Sequence, residues 1–360
     1  MNFSRLQLSF VILLFIGISN HVLMLPHLLY VAKRDAWICV IIAYLILIIW
    51  GSLFYLILSK NKREKLFSWI KMRAGRGVSI AIIFLLIIYI LIIATISFYD
   101  FIITIKIYFL PLTPSWIVVL PFLLLCAWAA SKSLKSIVYI STILLPMVWI
   151  LGHFVAFATM NDKDYSYLLP VMISGSAPII HGTIVVLGGS VDLIILLLLQ
   201  QHLKKSFTLS QIIILITLLM GLVLGPALGS LSAFGPNVAS IMRFPAFEQW
   251  RLVELGEHIS HLDFLAVFQL ISGASVRVAL CLFLLTDLIE TQSESMKRNI
   301  FIFFSVFLIL VGIIPISDIW MQTVVGKYFY PSVLLFGVAI TLVLLIISYL
   351  PTKKKGVSNV

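Results

Sequence analysis

The sequence predicts an all-α protein that crosses a membrane many times, and three observations carry this prediction. The chain has 360 residues, of which 62% are hydrophobic and 11% are charged, and its mean hydropathy is +1.15. A soluble domain of this length could not cover its surface with so few polar residues. Its apolar runs repeatedly exceed the ~20 residues that cross a bilayer, and no strand-length alternation is present. Because backbone groups in lipid must be paired within their own segment, these runs are expected to be helices.

The apolar segments number ten and form a single transmembrane domain over residues 1–360. The first segment follows Arg5, lacks a small-residue cleavage site and leads directly into the next, so we expect it to be retained as a membrane helix. The predicted spans lie at roughly 6–32, 37–58, 78–105, 115–131, 136–158, 173–201, 209–231, 263–289, 298–316 and 331–350.

The basic residues predict the orientation of these spans. If the N-terminus is cytoplasmic, most of the 25 basic residues fall in cytoplasmic segments, and they are densest between Lys60 and Arg76. An even number of spans returns the C-terminus to the same side, so we expect both termini in the cytoplasm. The net charge of +11 then reflects orientation and attraction to anionic membrane lipid, and no nucleic-acid partner is expected.

Two spans contain residues that interrupt a membrane helix. These residues are Gly17, Ser19 and Asn20 in span one and Gly188, Gly189 and Ser190 in span six. The interruptions occupy matching positions in two halves of opposite orientation, about 1–160 and 170–350. This pattern is typical of a five-plus-five inverted repeat of the LeuT type, with broken helices 1 and 6. We expect unwound backbone near 17–21 and 187–190, although ordinary kinks would produce the same residues.

Unwound backbone at mid-membrane depth would offer amide and carbonyl groups to a small ligand. Polar side chains at similar depth extend this hypothesis, since a charge there costs ~2.5–3.5 kcal/mol and should face a cavity or a partner. Each of these residues also has a structural explanation that needs no ligand. Asp192 and Arg277 could form an ion pair, His21 could bond a neighbouring helix, and Tyr89 could be a packing residue. The candidate ligand-binding residues are Gly17, Ser19, Asn20, His21, Tyr89, Gly188, Gly189, Ser190, Asp192, Ser275 and Arg277.

No catalytic or metal-binding constellation is predicted, so we expect neither enzyme activity nor a cofactor. The sequence has no nucleophile motif or paired carboxylates within its spans, and its three cysteines fall inside apolar spans. Glu254, His258 and His261 have helical spacing, but a solvated face of an external helix explains them without a metal. Asp100, near the end of span three, is expected to be a solvated end charge.

Several segments occur in an order that is typical of one protein family. They are HVLMLPHLL, LPLTPSWI, YLLPVMISGSAPII, QQHLKKSF, FPAFEQWRLVELGEHISHLDFLAVF and IPISDIW. Through these segments the chain resembles the spore germination permease family, the B-type integral membrane subunits of spore germinant receptors. That family belongs to the amino acid–polyamine–organocation superfamily. Ser19 and His21 stand where members often have glycine, a departure that bears on which germinant binds.

The resemblance implies a germinant-sensing subunit that binds a small nutrient, such as an amino acid, at a transporter-like site. It also implies A-type and C-type receptor subunits as partners and a location in the inner membrane of the spore. A secondary transporter of amino acids or amines is the alternative function, because the same residues would serve it. An intramembrane enzyme is a third hypothesis, and the lack of a catalytic motif disfavours it.

Overall fold

The computed structural model describes residues 2–254, 262–290 and 293–352, and within these ranges the chain is almost entirely helical. The helices are α1 Arg5–Ile18, α2 Leu25–Ala32, α3 Ala36–Asn61, α4 Leu66–Ala74, α5 Arg76–Tyr108, α6 Ser115–Lys132, α7 Leu134–Ala158, α8 Ala177–Ser190, α9 Ile195–Leu199, α10 Leu209–Ala239, α11 Pro245–Arg251, α12 Phe264–Asp287, α13 Glu294–Ile313, α14 Asp318–Val324 and α15 Tyr330–Tyr349.

Among the described residues, nine helical segments are long and apolar enough to cross a membrane. The first of them, Arg5–Asn61, contains 57 residues, and a straight helix of that length would measure about 85 Å, nearly three times a bilayer core. It folds back instead at Lys33, whose φ is 47°. Its two ends therefore meet the same region of the chain, since Phe3 donates its amide to the carbonyl of His202 and Asn61 accepts a hydrogen bond from Gln200.

The helices of spans one and six change their hydrogen-bond pattern near the predicted interruptions, but neither helix is unwound there. In span one α1 continues through Ile18, and a π-helix follows from Ser19 to Met24. In span six α8 continues through Ser190, and a 3-10 turn follows from Val191 to Ile194. The prediction of unwound backbone at 17–21 and 187–190 was therefore wrong. A π or 3-10 turn changes the hydrogen-bond partners while it keeps backbone groups paired, which an apolar interior requires.

The membrane-spanning segments differ widely in burial, and this difference shows which of them is central. In the most apolar stretch of Ala177–His202, 89% of the residues are buried, against 11% in that of Leu134–Ala158. Large apolar side chains such as Leu124, Ile150 and Leu335 are more than two-thirds exposed. A water-soluble protein rarely exposes so many, whereas lipid contacts satisfy them. The segment Ala177–His202 is therefore the core of the bundle.

One end of the bundle, here called the N-end because α1 begins there, is closed by hydrogen bonds between distant parts of the chain. Arg63 donates to the carbonyl of Leu203 over 3.0 Å, and Gln201 donates to Asp287 over 3.0 Å. The amide of Lys204 bonds the carbonyl of Phe3 over 2.8 Å. These contacts fasten the chain start and the α3–α4 turn to the end of the central segment.

At the opposite end of the bundle an arginine bridges two helices. Arg243 lies 2.5 Å from Asp100 of α5 and 2.9 Å from Asp318 of α14. Burial lowers the pKa of Arg243, but the two carboxylates more than offset this, so its pKa is raised and the guanidinium stays charged. Asp100 is buried, so its expected role as a solvated end charge was wrong. The cost of its burial is met by the buried salt bridge.

Candidate functional site

The charged residues of spans six and eight form a buried cluster, here called the charge cluster, with Tyr89 and Ser97 of α5. A guanidinium nitrogen of Arg277 lies 2.7 Å from a carboxylate oxygen of Asp192. The second oxygen of Asp192 accepts a hydrogen bond of 2.5 Å from the Tyr89 hydroxyl. The predicted pairing of Asp192 with Arg277 is confirmed.

The polar atoms of the charge cluster form hydrogen bonds with other protein groups. Arg277 also donates from Nε to the Ser97 hydroxyl over 2.6 Å and from Nη1 to the carbonyl of Phe15 over 2.7 Å. Its guanidinium carbon lies 4.4 Å from the centre of the Phe15 ring. The Arg277 and Asp192 side chains are only 3% and 5% exposed. The cluster thus ties α1, α5, α12 and the 3-10 turn after α8 together.

The small residues of spans one and six allow close helix contacts. A Cβ atom at Gly188 would collide with the backbone carbonyl of Tyr330, and one at Gly189 would collide with the sulfur of Met24. Asn20 is fully buried next to Gly189, and neither its amide nitrogen nor its oxygen has a partner among the described residues. Asn20, one of the predicted ligand-binding residues, therefore has unused hydrogen-bonding capacity where spans one and six pack against each other.

The serines and the first glycine of the predicted set have local roles. Ser190 bonds the carbonyl of Val186 over 2.8 Å, and Ser275 bonds that of Ser272 over 3.1 Å. Ser19 is buried, and a Cβ at Gly17 would lie 3.1 Å from the Leu222 side chain. The Ser190 and Ser275 hydroxyls bond within their own helices, so they contribute no polar group to a ligand in this conformation.

A cavity of about 350 Å³ lies between α7, α10, α12, the π-helix and α11. Its walls include His21 of the π-helix, Trp149 and His153 of α7, Gly225 of α10, Phe244 and Gln269. The volume falls in the range of small-molecule sites, about 300–1,000 Å³. Of the predicted ligand-binding residues, His21 lines this cavity and the remaining ten do not.

The His21 ring has one nitrogen occupied and one free. Its Nδ1 lies 2.7 Å from the carbonyl oxygen of Gly17. Because a carbonyl oxygen only accepts hydrogen bonds, Nδ1 carries a proton, and in the neutral ring Nε2 is an acceptor. The hydrogen bond of this ring among the described residues is the one at Nδ1, which leaves Nε2 free. The predicted hydrogen-bonded histidine and the predicted ligand residue are therefore compatible descriptions of His21.

Sequence reasoning missed the α7 wall of the cavity. His153 repeats the arrangement of His21, with Nδ1 2.8 Å from the carbonyl of Trp149. The indole nitrogen of Trp149 is buried and has no partner among the described residues. A histidine four residues after a tryptophan inside an apolar span was the available signal. It was weak, because tryptophan is also common near the membrane interface.

No described residues form a group of three metal-ligating side chains. Of the three residues with helical spacing, Glu254 lies just beyond α11, while His258 and His261 lie outside the described residues. The helix in this part of the chain is α11, Pro245–Arg251.

The fold and the cavity define a class, a multi-pass helical membrane protein with a small-molecule-sized cavity towards one end of its bundle. Comparison with known proteins identifies the family. The family model described as spore germination protein matches residues 3–319. The chain is 34% identical over 349 residues to spore germination protein XB of Bacillus anthracis, covering 97% of this chain and 98% of the relative. The chain belongs to the spore germination permease family and is a germination-related membrane protein.

Proposed function

We propose that this protein is the germinant-sensing membrane subunit of a spore germination receptor, and that a small nutrient binds in the cavity beside the π-helix. The observation that carries the proposal is the cavity of about 350 Å³ against His21, in a member of a germination family. A π-turn is a frequent feature of functional sites, and here it lies at the cavity wall through His21.

The proposed architecture has ten membrane crossings in two inverted halves, about 1–160 and 170–350. Counting the folded-back segment Arg5–Asn61 as two crossings turns the nine candidate segments into ten. In support, α1 and α8 each contain 14 residues before the hydrogen-bond pattern changes. An even number of crossings places both termini on one side, and the basic residues favour the cytoplasmic side.

The proposed signal passes from the cavity to α1. A ligand that bonds His21 would act on the π-helix directly after α1, and α1 is held by Arg277 at the carbonyl of Phe15. A shift of the π-turn would also expose the unpaired amide of Asn20, which faces Gly189. The predicted residues around both turns then shape the ligand-responsive part of the core. The charge cluster keeps the surrounding helices in place.

The proposed setting is the inner membrane of the spore, in a complex with A-type and C-type receptor subunits. Membership in the germination family and the likeness to spore germination protein XB support this assembly. The test is co-purification of an affinity-tagged chain from spores, with the partners identified by mass spectrometry. Recovery of the chain without either subunit, after mild solubilisation, would contradict the complex.

A secondary transporter is the second candidate, because the two ends of the bundle differ. The N-end is closed by the Phe3, Arg63 and Gln201 bonds, while the cavity lies towards the other end. A transporter that works by alternating access is closed at one end while its binding site is nearer the other. Uptake of a radiolabelled nutrient into proteoliposomes tests transport directly.

The decisive experiment on function deletes the gene and measures germination of the spores on a panel of single nutrients. We expect loss of the response to one or a few nutrients and its return on complementation. A deletion strain that germinates normally on every nutrient that triggers the parent would contradict the sensing function.

A further inference from the structure

The chemistry of the cavity walls limits the kind of molecule that fits, if the cavity is the germinant site proposed above. Most polar groups on the walls are already bonded within the protein. Gln269 accepts from the Trp250 indole over 3.0 Å and donates to the carbonyl of Val148 over 2.9 Å. Gln249 donates to the Ser230 hydroxyl over 2.9 Å. These side chains shape the wall and contribute little hydrogen bonding to an occupant.

The unused polar groups are few and of two kinds. The buried indole N–H of Trp149 is a donor without a partner among the described residues. The Nε2 atoms of His21 and His153 are acceptors in the neutral rings, because each Nδ1 donates to a backbone carbonyl. A buried donor that stays unpaired is unfavourable, so an occupant that accepts from Trp149 removes a penalty.

The charge on the walls is also restrictive. Lys163 is the charged residue among the described residues that line the cavity, and no carboxylate lies among them. An ammonium group would therefore enter a largely apolar cavity without an anionic partner and next to a cation. The Lys163 ammonium already donates to the carbonyl of Ala156 over 2.9 Å, so this cation is engaged within the protein. Burial also lowers the pKa of Lys163, with a smaller opposite effect from Asp162.

We infer that the cavity binds an uncharged molecule with an aromatic or apolar body, one hydrogen-bond acceptor and one donor, and that it discriminates against zwitterionic amino acids. The acceptor meets the Trp149 indole N–H, the donor meets an imidazole Nε2, and the body contacts walls that include Phe244, Phe247 and Trp250. A primary amide on an aromatic body has this combination of groups.

The test is a charge series on one body, with 3-phenylpropionamide as the neutral probe, 3-phenylpropionate as the anion, phenethylamine as the cation and L-phenylalanine as the zwitterion. Thermal unfolding of the purified full chain in lipid nanodiscs is measured against the concentration of each probe, because a bound ligand raises the midpoint. We expect the amide to act at a concentration at least about tenfold lower than any charged probe, which corresponds to ~1.4 kcal/mol.

A matched pair of variants ties the effect to the cavity. Trp149→Phe should raise the half-maximal amide concentration about tenfold, since it removes the donor and keeps an aromatic ring. Trp37→Phe is the control, because the Trp37 indole nitrogen is also buried and unpartnered but does not line the cavity. Equal effects of the two variants would overturn the assignment of the donor.

The outcomes separate this inference from the proposed function. A stronger effect of L-phenylalanine, of the anion or of the cation would overturn the ligand class and leave a small-molecule cavity in place. No effect of any probe would overturn the inference as a whole. The germination panel of the deletion strain decides the sensing function independently of all four probes.

Discussion

The charge cluster and the cavity are both polar interruptions of an apolar bundle, yet they differ in how their polar atoms are used. In the cluster, Asp192 and Arg277 are almost fully buried and bond to each other, Tyr89, Ser97 and a backbone carbonyl. In the cavity, no described wall residue forms a buried ion pair, and Trp149 and His21 keep unused hydrogen-bonding groups. A charged side chain inside the membrane therefore points first to a structural partner, because burying it alone is costly. Unpaired hydrogen-bonding groups next to a cavity are better candidates for ligand contacts.

The largest expected effect comes from breaking the charge cluster. Asp192→Asn or Arg277→Gln leaves a buried partner unpaired, at a cost of about 3–5 kcal/mol. We expect each variant to reduce the amount of protein in the membrane fraction, measured by quantitative immunoblot. The double variant should recover part of the loss because the two residues are coupled. Lys297→Gln is the control, since its pair with Glu294 is exposed. Wild-type amounts in both single variants would contradict the pairing.

Two glycine substitutions compare the packed core with the cavity. Gly188→Ala places a methyl group against the backbone of Tyr330, which cannot move aside cheaply, whereas Gly221 lines the cavity and has open space around its Cβ position. Overpacking costs about 1–3 kcal/mol, so Gly188→Ala should lower the unfolding midpoint. Gly221→Ala should preserve or raise it, because alanine favours the helix by about 1 kcal/mol. Equal destabilisation by both changes would show that the cavity is filled in the folded protein.

The substitution His21→Leu tests the cavity through the germination response. The change removes the free Nε2 while making the segment more compatible with lipid, so loss of insertion cannot explain a changed response. A contact worth ~1.4 kcal/mol shifts the half-maximal nutrient concentration about tenfold. The control His181→Leu removes a ring with the same backbone bond, over 2.8 Å to Ala177, that lies away from the cavity. Unchanged dose–response curves for His21→Leu at matched protein amounts would remove His21 from the site.

The smallest expected effect is at the bridge beside the cavity. Asp318 is partly exposed, and Asp318→Asn leaves Arg243 paired with the more buried Asp100. A partly exposed pair is worth up to about 1 kcal/mol. Since Arg243 stacks 4.2 Å from the Phe244 ring of the cavity wall, we expect a small decrease in the unfolding midpoint and a shift in the dose–response curve of less than about fivefold. A complete loss of response would instead make this bridge part of the signalling route.

The sequence predicted the helices and the charged residues that need a partner inside the membrane, because hydropathy and charge are local properties. The Asp192–Arg277 pair followed from the cost of each charge in the membrane. The form of the turns after Ile18 and Ser190 did not follow, since glycine permits several backbone states and tertiary packing selects among them. The cavity did not follow either, because helices far apart in the chain build its walls, and no single span contains a signal for shared empty volume.

The central claim, that the germinant occupies this cavity, is tested most directly by protection of an introduced thiol. Gly225→Cys places a sulfur in the cavity without a steric clash, and the three native cysteines are buried and free. The probe is the nutrient to which the deletion strain no longer responds, and the measurement is the rate of modification by a small methanethiosulfonate reagent. Thr323→Cys, at an exposed position away from the cavity walls, is the control. We predict that the nutrient slows modification of Cys at 225 in proportion to its occupancy and leaves that at 323 unchanged. Equal rates at position 225 with and without saturating nutrient would contradict the account.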